Sequence, residues 1–430
     1  MCIRDSPYYN YQILLECAGP NTDRIRRALG QALRANPQLM AKFGVDSTGR
    51  FTQTFPISAI DMDEISIHEV ASAQEAREIC WMKAAVPFNL EEGPAIAVDE
   101  IRINGYSTWF VLTMNEILID GWGAMKFMEQ LISLFKCRNM DDQEIEVKTA
   151  MTSVLEYFQH LSKPKEISAE ARKFWSKSLD GVKSCFPLRD TLNNSCDPYA
   201  ASVIEVSLDD EATAEIRSTA HALSTSPFAV FVAAYSLALA AVSDQHDFVV
   251  GAPVAGRNDE YEIGVPTLML NMIAIRTRID VEKKISDTVR SMISNVTEAV
   301  SFGDSVFSKV VSEFADHTNE DPLFSTMVNM LTYPSLEFWD GDRSLHLTEL
   351  NTGFTKYDAS LYIQRHGEDY TLQLAYKVAY VTPERANKVL ALTAWFLTSD
   401  WLSGKTTVAN AIKTALNDCD TSQITMLKSY

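Results

Sequence analysis

The stretch Pro227–Val242 (PFAVFVAAYSLALAAV) limits the fold more than any other part of this chain. It is apolar almost throughout, yet shorter than the roughly 20 residues a membrane-crossing helix needs. It therefore reads as a buried helix, followed by a strand at Asp247–Gly251. A helix apolar on every side must be covered on every side, so the chain has to wrap other elements around it. With 430 residues there is ample material. That length exceeds a typical single core and predicts two or three lobes. Hydrophobic residues make up 46% and charged residues 22%, a globular balance that excludes disorder as the default.

A formal net charge of −19 argues against nucleic-acid binding, which needs concentrated Lys and Arg. It also argues against docking on anionic membranes. An acidic partner would need a local basic patch. The seven cysteines are scattered and form no CxxC pair, which fits free thiols in a reducing compartment and no zinc site. The opening MCIRDSPYYN has no apolar signal-peptide core. A cytoplasmic, metal-free monomer is expected. The seven histidines show no ligand-like spacing, and neither a nucleophile elbow nor a phosphate-cradling loop occurs.

Strands and helices mix in both halves, giving an α/β (α+β) class. Strands are predicted at 11–17, 51–56, 95–103 and 107–114, with helices at 22–36, 72–86 and 123–135. Asn104-Gly105 should turn the 95–114 pair into a hairpin. The charged stretch Cys137–Glu146 reads as an exposed connection, followed by helices at 151–162 and 168–179. Lys163-Pro164-Lys165 between them marks a lobe boundary, dividing the chain into 1–165, 166–415 and a terminal 416–430 linker. The second lobe is predicted to carry strands at 201–206, 247–251, 268–277, 326–332, 359–365 and 370–376. Its helices fall at 209–222, 227–242, 285–301, 305–315 and from 382 to 395 or beyond. Residues 252–262 read as a loop.

One run invites a chemical reading. The apolar strand STWFVLTM leads straight into Asn115-Glu116-Ile117-Leu118-Ile119-Asp120-Gly121. Polar residues between a strand end and a helix commonly face a cleft. Glu116, in an apolar tunnel, would have a raised pKa and serve as a general base. Two plainer readings stand beside this one: Asp120 as a helix cap, and Glu116 as a solvated strand end.

The segment NEILIDGWG resembles the H-H-x-x-x-D-G motif of condensation domains of nonribosomal peptide synthetases, members of the coenzyme-A-dependent acyltransferase superfamily. Six flanking pieces resemble the same family in the same order. They are Asn36-Pro37-Gln38-Leu39 with Phe43, Gly93-Pro94, DFVVGAPVAGRNDEYE, Asn271 with Arg276, Asp321-Pro322-Leu323-Phe324, and Lys356 to Leu361. The resemblance implies a two-lobed pseudo-dimer of chloramphenicol-acetyltransferase-like lobes with a tunnel between them. Peptidyl or acyl carrier domains would deliver substrates there on phosphopantetheine arms, with no tightly bound cofactor. It places Asn115 and Glu116 on the two motif histidines. Asp120 and Gly121 fall on the structural part of the motif, and Asp120 is paired with Arg257 across the lobes. Trp122, Asn271 and Tyr357 become candidates for the tunnel wall.

The loss of both histidines leaves two expectations open. One is a domain that keeps the fold and carrier docking without peptide-bond catalysis. The other is an active acyltransferase forming an amide or ester with Glu116 as base. A stand-alone acyl-CoA-dependent enzyme is a remote third. An N-terminal family element has no counterpart here, and residues 421–430 resemble the start of a linker towards an adenylation domain. Together they suggest a piece of a longer synthetase.

Overall fold

The computed structural model describes residues 6–18, 22–55, 60–105, 107–137, 139–160, 166–190, 193, 195–315, 322–331, 336–340, 343–350, 352–398 and 405–427. The chain opens with β1 (Asn10–Ala18) and α1 (Thr22–Ala35). A small hairpin, β2 (Lys42–Val45) and β3 (Phe51–Thr54), precedes β4 (Ser66–Val70) and α2 (Ala73–Ala84). Then come β5 (Ile96–Ile103), β6 (Ser107–Asn115), α3 (Gly121–Lys136), α4 (Met140–His160) and α5 (Ala169–Leu179). The second half runs β7 (Ala201–Ser207), α6 (Asp210–Ala222), α7 (Pro227–Ser243), β8 (Asp247–Val254), α8 (Glu260–Ile263), β9 (Asn271–Arg278), α9 (Ile285–Ser301) and α10 (Phe307–Phe314). It continues with β10 (Thr326–Leu331), β11 (Leu336–Asp340), β12 (Arg343–Leu350), β13 (Ala359–His366), β14 (Asp369–Lys377), α11 (Pro383–Thr398), α12 (Val408–Asp418) and β15 (Thr425–Leu427).

Two large sheets result. One has the order β11-β12-β1-β6-β5-β4, the other β15-β7-β14-β13-β10-β8-β9. The first is antiparallel except for β4 beside β5, and β10 lies parallel to both β13 and β8 in the second. Period-two alternation divides the first sheet's side chains between two cores. Ile13, Leu15, Phe110, Leu112 and Met114 pack towards α1 and α3, while Leu14, Trp109 and Val111 pack on the α2 side. The second core is built around α7, whose residues Ala229–Ala240 are all buried. It touches α6, α9 and α11, the all-round cover its sequence demanded. Asn104 and Gly105 both take positive φ, 46° and 71°, the backbone that the 95–114 hairpin calls for.

Three expectations are corrected. Residues 140–146 belong to α4 and are not an exposed connection. Asn139 Oδ1 accepts the Asp142 N–H at 2.8 Å, Asp141 and Asp142 sit at the positive end of the helix, and Gln143 and Val147 bury its inner face. The helix is charged because only a narrow stripe of it touches the core. Residues 166–415 are not one unit, because β12 pairs along β1 and carries β11 into the first sheet. The alternation Leu345–His346–Leu347, with both leucines buried, is a legible strand signal. Finally, the 415/416 boundary cuts α12, and β15 pairs with β7, so part of the expected linker is woven into the second sheet. The Lys163-Pro164-Lys165 junction, Cys2, His317, Asp321 and residues 428–430 lie outside the described residues.

The two halves repeat one local plan. In each, a hairpin (β5–β6, β13–β14) ends beside the half's first strand. The last residue of the hairpin faces the first residue of that strand: Asn10 opposite Asn115, and Ala201 opposite Lys377. In each, a helix then begins six residues on, at Gly121 or Pro383.

Candidate active site between the two halves

At the end of β6 the backbone makes a tight turn held by its own polar groups. The buried Asn115 donates its N–H to Ala95 O at 2.9 Å, and its Oδ1 accepts the Ile117 N–H at 3.0 Å. Its amide oxygen is thus committed to the turn. Glu116 N–H bonds Tyr9 O at 2.7 Å, which fixes the residue's position. Leu118 and Ile119 anchor the turn in the first core.

Asp120 closes this turn and does two jobs at once. As the cap of α3, its Oδ1 accepts the Gly123 N–H at 2.7 Å. Its two oxygens also take both Arg257 amino groups, at 2.8 and 2.9 Å, and its Oδ2 accepts the N–H groups of Met269 and Leu270. Arg257 passes a further bond to Thr267 O at 2.8 Å. Both side chains are almost fully buried, at 3% and 2% exposure. A buried ion pair holds when its geometry is good and the remaining valences are filled, and here the carboxylate is surrounded by donors. The close approach is made possible by glycine. Gly256 has φ +64°, and a Cβ there would lie 2.0 Å from Met269 O; one on Gly123 would lie 2.7 Å from Thr267 O. The capping reading and the ion-pair reading of Asp120 hold together.

Beside this clasp lies a cavity of about 490 Å³ with walls from both halves. Asn115, Glu116 and Tyr9 come from the first, and Leu270, Phe324 and Tyr357 from the second. Glu116 is not unpaired on this largely apolar wall. Its Oε2 accepts a bond from Lys356 Nζ, and its side chain is 38% exposed. Lys356 also lies 4.4 Å from the Tyr9 ring centroid. Burial pushes the Lys356 ammonium down to about 8, and contact with a carboxylate works in the opposite direction. Tyr357, whose ring lies 5.5 Å from Phe324, is pushed up to about 12 by burial and stays protonated.

Two tunnel candidates sit elsewhere. Trp122 is not among the cavity walls; its indole N–H bonds Ile263 O at 2.9 Å and so helps join α3 to α8. Asn271 is likewise absent from the walls. Its amide donates to Gly303 O and Ser305 O and its Oδ1 accepts from Phe307, which ties β9 to the loop before α10. Lys356 is one of the cavity residues that sequence reasoning left without a role. Its partner lies 240 positions away, and no local pattern announces such a pairing. Among the described residues no cluster of His, Cys, Asp and Glu could hold a metal, and no single helix is long and apolar enough to cross a membrane.

Comparison with known proteins fits this geometry. The condensation-domain family model matches residues 3–390. The chain belongs to the condensation-domain family. Curated relatives include a plipastatin synthase component of Bacillus subtilis (strain 168), 22% identical over 384 residues. That match covers 88% of this chain and 15% of the relative. Bacitracin synthase 1 of Bacillus licheniformis is 22% identical over 313 residues, 70% of this chain and 6% of the relative. The domain therefore spans only a small part of the length of the synthetases it matches. Among solved structures, the condensation domain of the monacolin K polyketide synthase MokA superposes with a TM-score of 0.72 at 15% identity, covering 94% of each chain. The four-domain nonribosomal peptide synthetase AB3403 gives 0.73 at 13% identity over 94% of this chain and 32% of that one. The fold is thus the two-lobed, acetyltransferase-like pseudo-dimer of condensation domains.

Proposed function

We propose that this domain holds acyl or aminoacyl thioesters delivered by carrier proteins in the cavity between its halves and directs an acceptor amine onto the donor carbonyl. Such a step forms one amide C–N bond, breaks the thioester C–S bond, and passes a proton from nitrogen to the departing thiol sulfur. The observation that carries this reading is the placement of Glu116. It stands on the cavity wall at the end of β6, in the motif position, facing residues of the other half.

The ion pair with Lys356 supports one of the two roles open to Glu116 over the other. A carboxylate paired with an ammonium already has one oxygen engaged as an acceptor. It can still accept a hydrogen bond from an amine and orient it. An α-amino group with an ordinary pKa near ~8 is partly unprotonated at neutral pH, and orientation alone supplies much of such a reaction's acceleration. Glu116 is thus read as a positioning group for an amine that arrives uncharged. Carrier domains and a neighbouring adenylation domain are the partners this reading requires.

The test mixes the domain with an acyl-loaded donor carrier and an aminoacyl-loaded acceptor carrier and follows amide product by mass spectrometry. Product from the parent that survives in Glu116→Gln at a reduced rate is expected. Loss of all product in a folded Glu116→Gln domain would make Glu116 a base instead. No product from the parent together with product from Glu116→His would overturn the reading and leave a carrier-docking domain without chemistry.

A further inference from the structure

The cavity walls carry three cations, Arg189, Lys356 and Lys377, and two carboxylates, Glu116 and Asp358, among the described residues. Two of the cations are matched. Arg189 grips Asp358 through two bonds, at 2.7 and 3.2 Å, and Lys356 holds Glu116. Lys377 is left over. It is 7% exposed, and among the described residues its Nζ has neither a hydrogen-bond acceptor nor a carboxylate within ion-pair distance. What touches it is aromatic: the ring centroids of Tyr199 and Tyr380 lie 4.7 and 5.6 Å from Nζ.

Most of this side chain is buried, while its Nζ opens onto the cavity without a hydrogen-bond partner among the described residues. Two tyrosine faces attract the ammonium and leave its N–H donors facing the cavity. Burial accordingly pulls the Lys377 ammonium below its ordinary value, with Asp358 acting against the shift. The surplus charge faces the same cavity as Glu116, and Lys377 occupies in the second half the strand-end register that Asn115 occupies in the first.

From this arrangement we propose that Lys377 forms a carboxylate subsite, and that the domain takes an acyl or aminoacyl group carrying a free carboxylate. The inference rests on the cavity being the substrate site, as argued above. The incoming carboxylate accepts hydrogen bonds from Lys377 Nζ and balances the wall charges, while the tyrosine faces hold the ammonium in place.

Binding of two small thioester probes tests this without requiring turnover. Succinyl-N-acetylcysteamine carries a free carboxylate, and butyryl-N-acetylcysteamine is its neutral counterpart. Free phosphopantetheine forms a third arm, separating a carboxylate from a phosphate as the favoured anion. Calorimetry on the parent should show the succinyl probe bound about tenfold more tightly than the butyryl probe, the size of one charge-assisted hydrogen bond. Lys377→Met, of similar length and apolar, should abolish that preference and leave butyryl binding unchanged, and Lys377→Arg should retain part of it. Equal binding of both probes by the parent, or a preference that persists in Lys377→Met, overturns the carboxylate subsite while leaving the proposed function standing. A preference of the parent for phosphopantetheine over the succinyl probe, lost in Lys377→Met, also overturns it in favour of a phosphate site. If neither thioester binds, the cavity is not the substrate site and both readings fall.

Discussion

The two hairpin ends, Asn115–Asp120 after β6 and Lys377–Thr382 after β14, follow the same plan with opposite chemistry. In the first half the turn is polar. Its Asn115 side chain is consumed locally, and its terminal Asp120 reaches into the other half to take Arg257 and two backbone N–H groups. In the second half the turn is mostly apolar (Val378, Ala379, Tyr380, Val381). Its terminal Thr382 caps α11 through the Arg385 N–H at 3.3 Å and donates to Asp190 at 2.6 Å. One end interlocks the halves with buried charge. The other closes through a neutral threonine bonded to Asp190 and leaves its own charge, Lys377, on the cavity wall. A repeated backbone can thus assign its fastening and its binding chemistry to different copies of the same turn.

The largest effect should come from breaking the fastening. Asp120→Ala leaves Arg257 buried without a counter-charge and should cost about 3–5 kcal/mol of unfolding free energy, read from urea denaturation. Adding Arg257→Met to that variant should recover a good part of the loss, because the stranded charge is removed with its partner. A loss for Asp120→Ala no larger than that of a surface substitution would show that the clasp does not hold the halves together. Next in size is the opposite turn. Thr382→Ala removes a cap and should cost about 1 kcal/mol. If it costs as much as Asp120→Ala, the contrast between the two turns disappears.

How much of this contrast could be read in the sequence follows from where each signal resides. The β5–β6 hairpin and the buried helix α7 were legible because alternation, Asn-Gly and an unbroken apolar run are local patterns. Asp120 and Arg257 were placed by resemblance, and their contact closes 137 positions of chain. The first turns of α4 were hidden because a helix with a narrow buried stripe has the composition of a loop. The migration of β11 and β12 into the first sheet could not be foreseen from the order of elements, since strand pairing across halves is a decision of tertiary packing. Lys356 and Lys377 were invisible for a related reason. Each is a lone lysine at a strand or its approach, given meaning by a cavity that forms only when both halves meet.

The smallest change in stability should come from the Glu116–Lys356 pair, and it sharpens the contrast most. Both side chains are roughly a third exposed, so Glu116→Gln should alter stability by less than about 1 kcal/mol. Its effect belongs to titration instead. Lys356 lies near 8 because burial disfavours its charge, against an ordinary lysine value of 10.5. Between those two values the unfolded chain binds the proton that the folded one has released. Stability contributed by this group therefore rises as pH rises through that window. A carboxylate in contact with an ammonium favours its charged form. Removing the Glu116 carboxylate should therefore lower the Lys356 titration relative to the parent and begin the rise at lower pH, which NMR of selectively labelled lysine would follow directly. An unmoved Lys356 would mean that the carboxylate and the ammonium are not in contact, and Glu116 would return to being a candidate base. A lowered value would show that the cavity pair tunes protonation at almost no cost in folding, whereas the Asp120 clasp spends its charge on joining the halves.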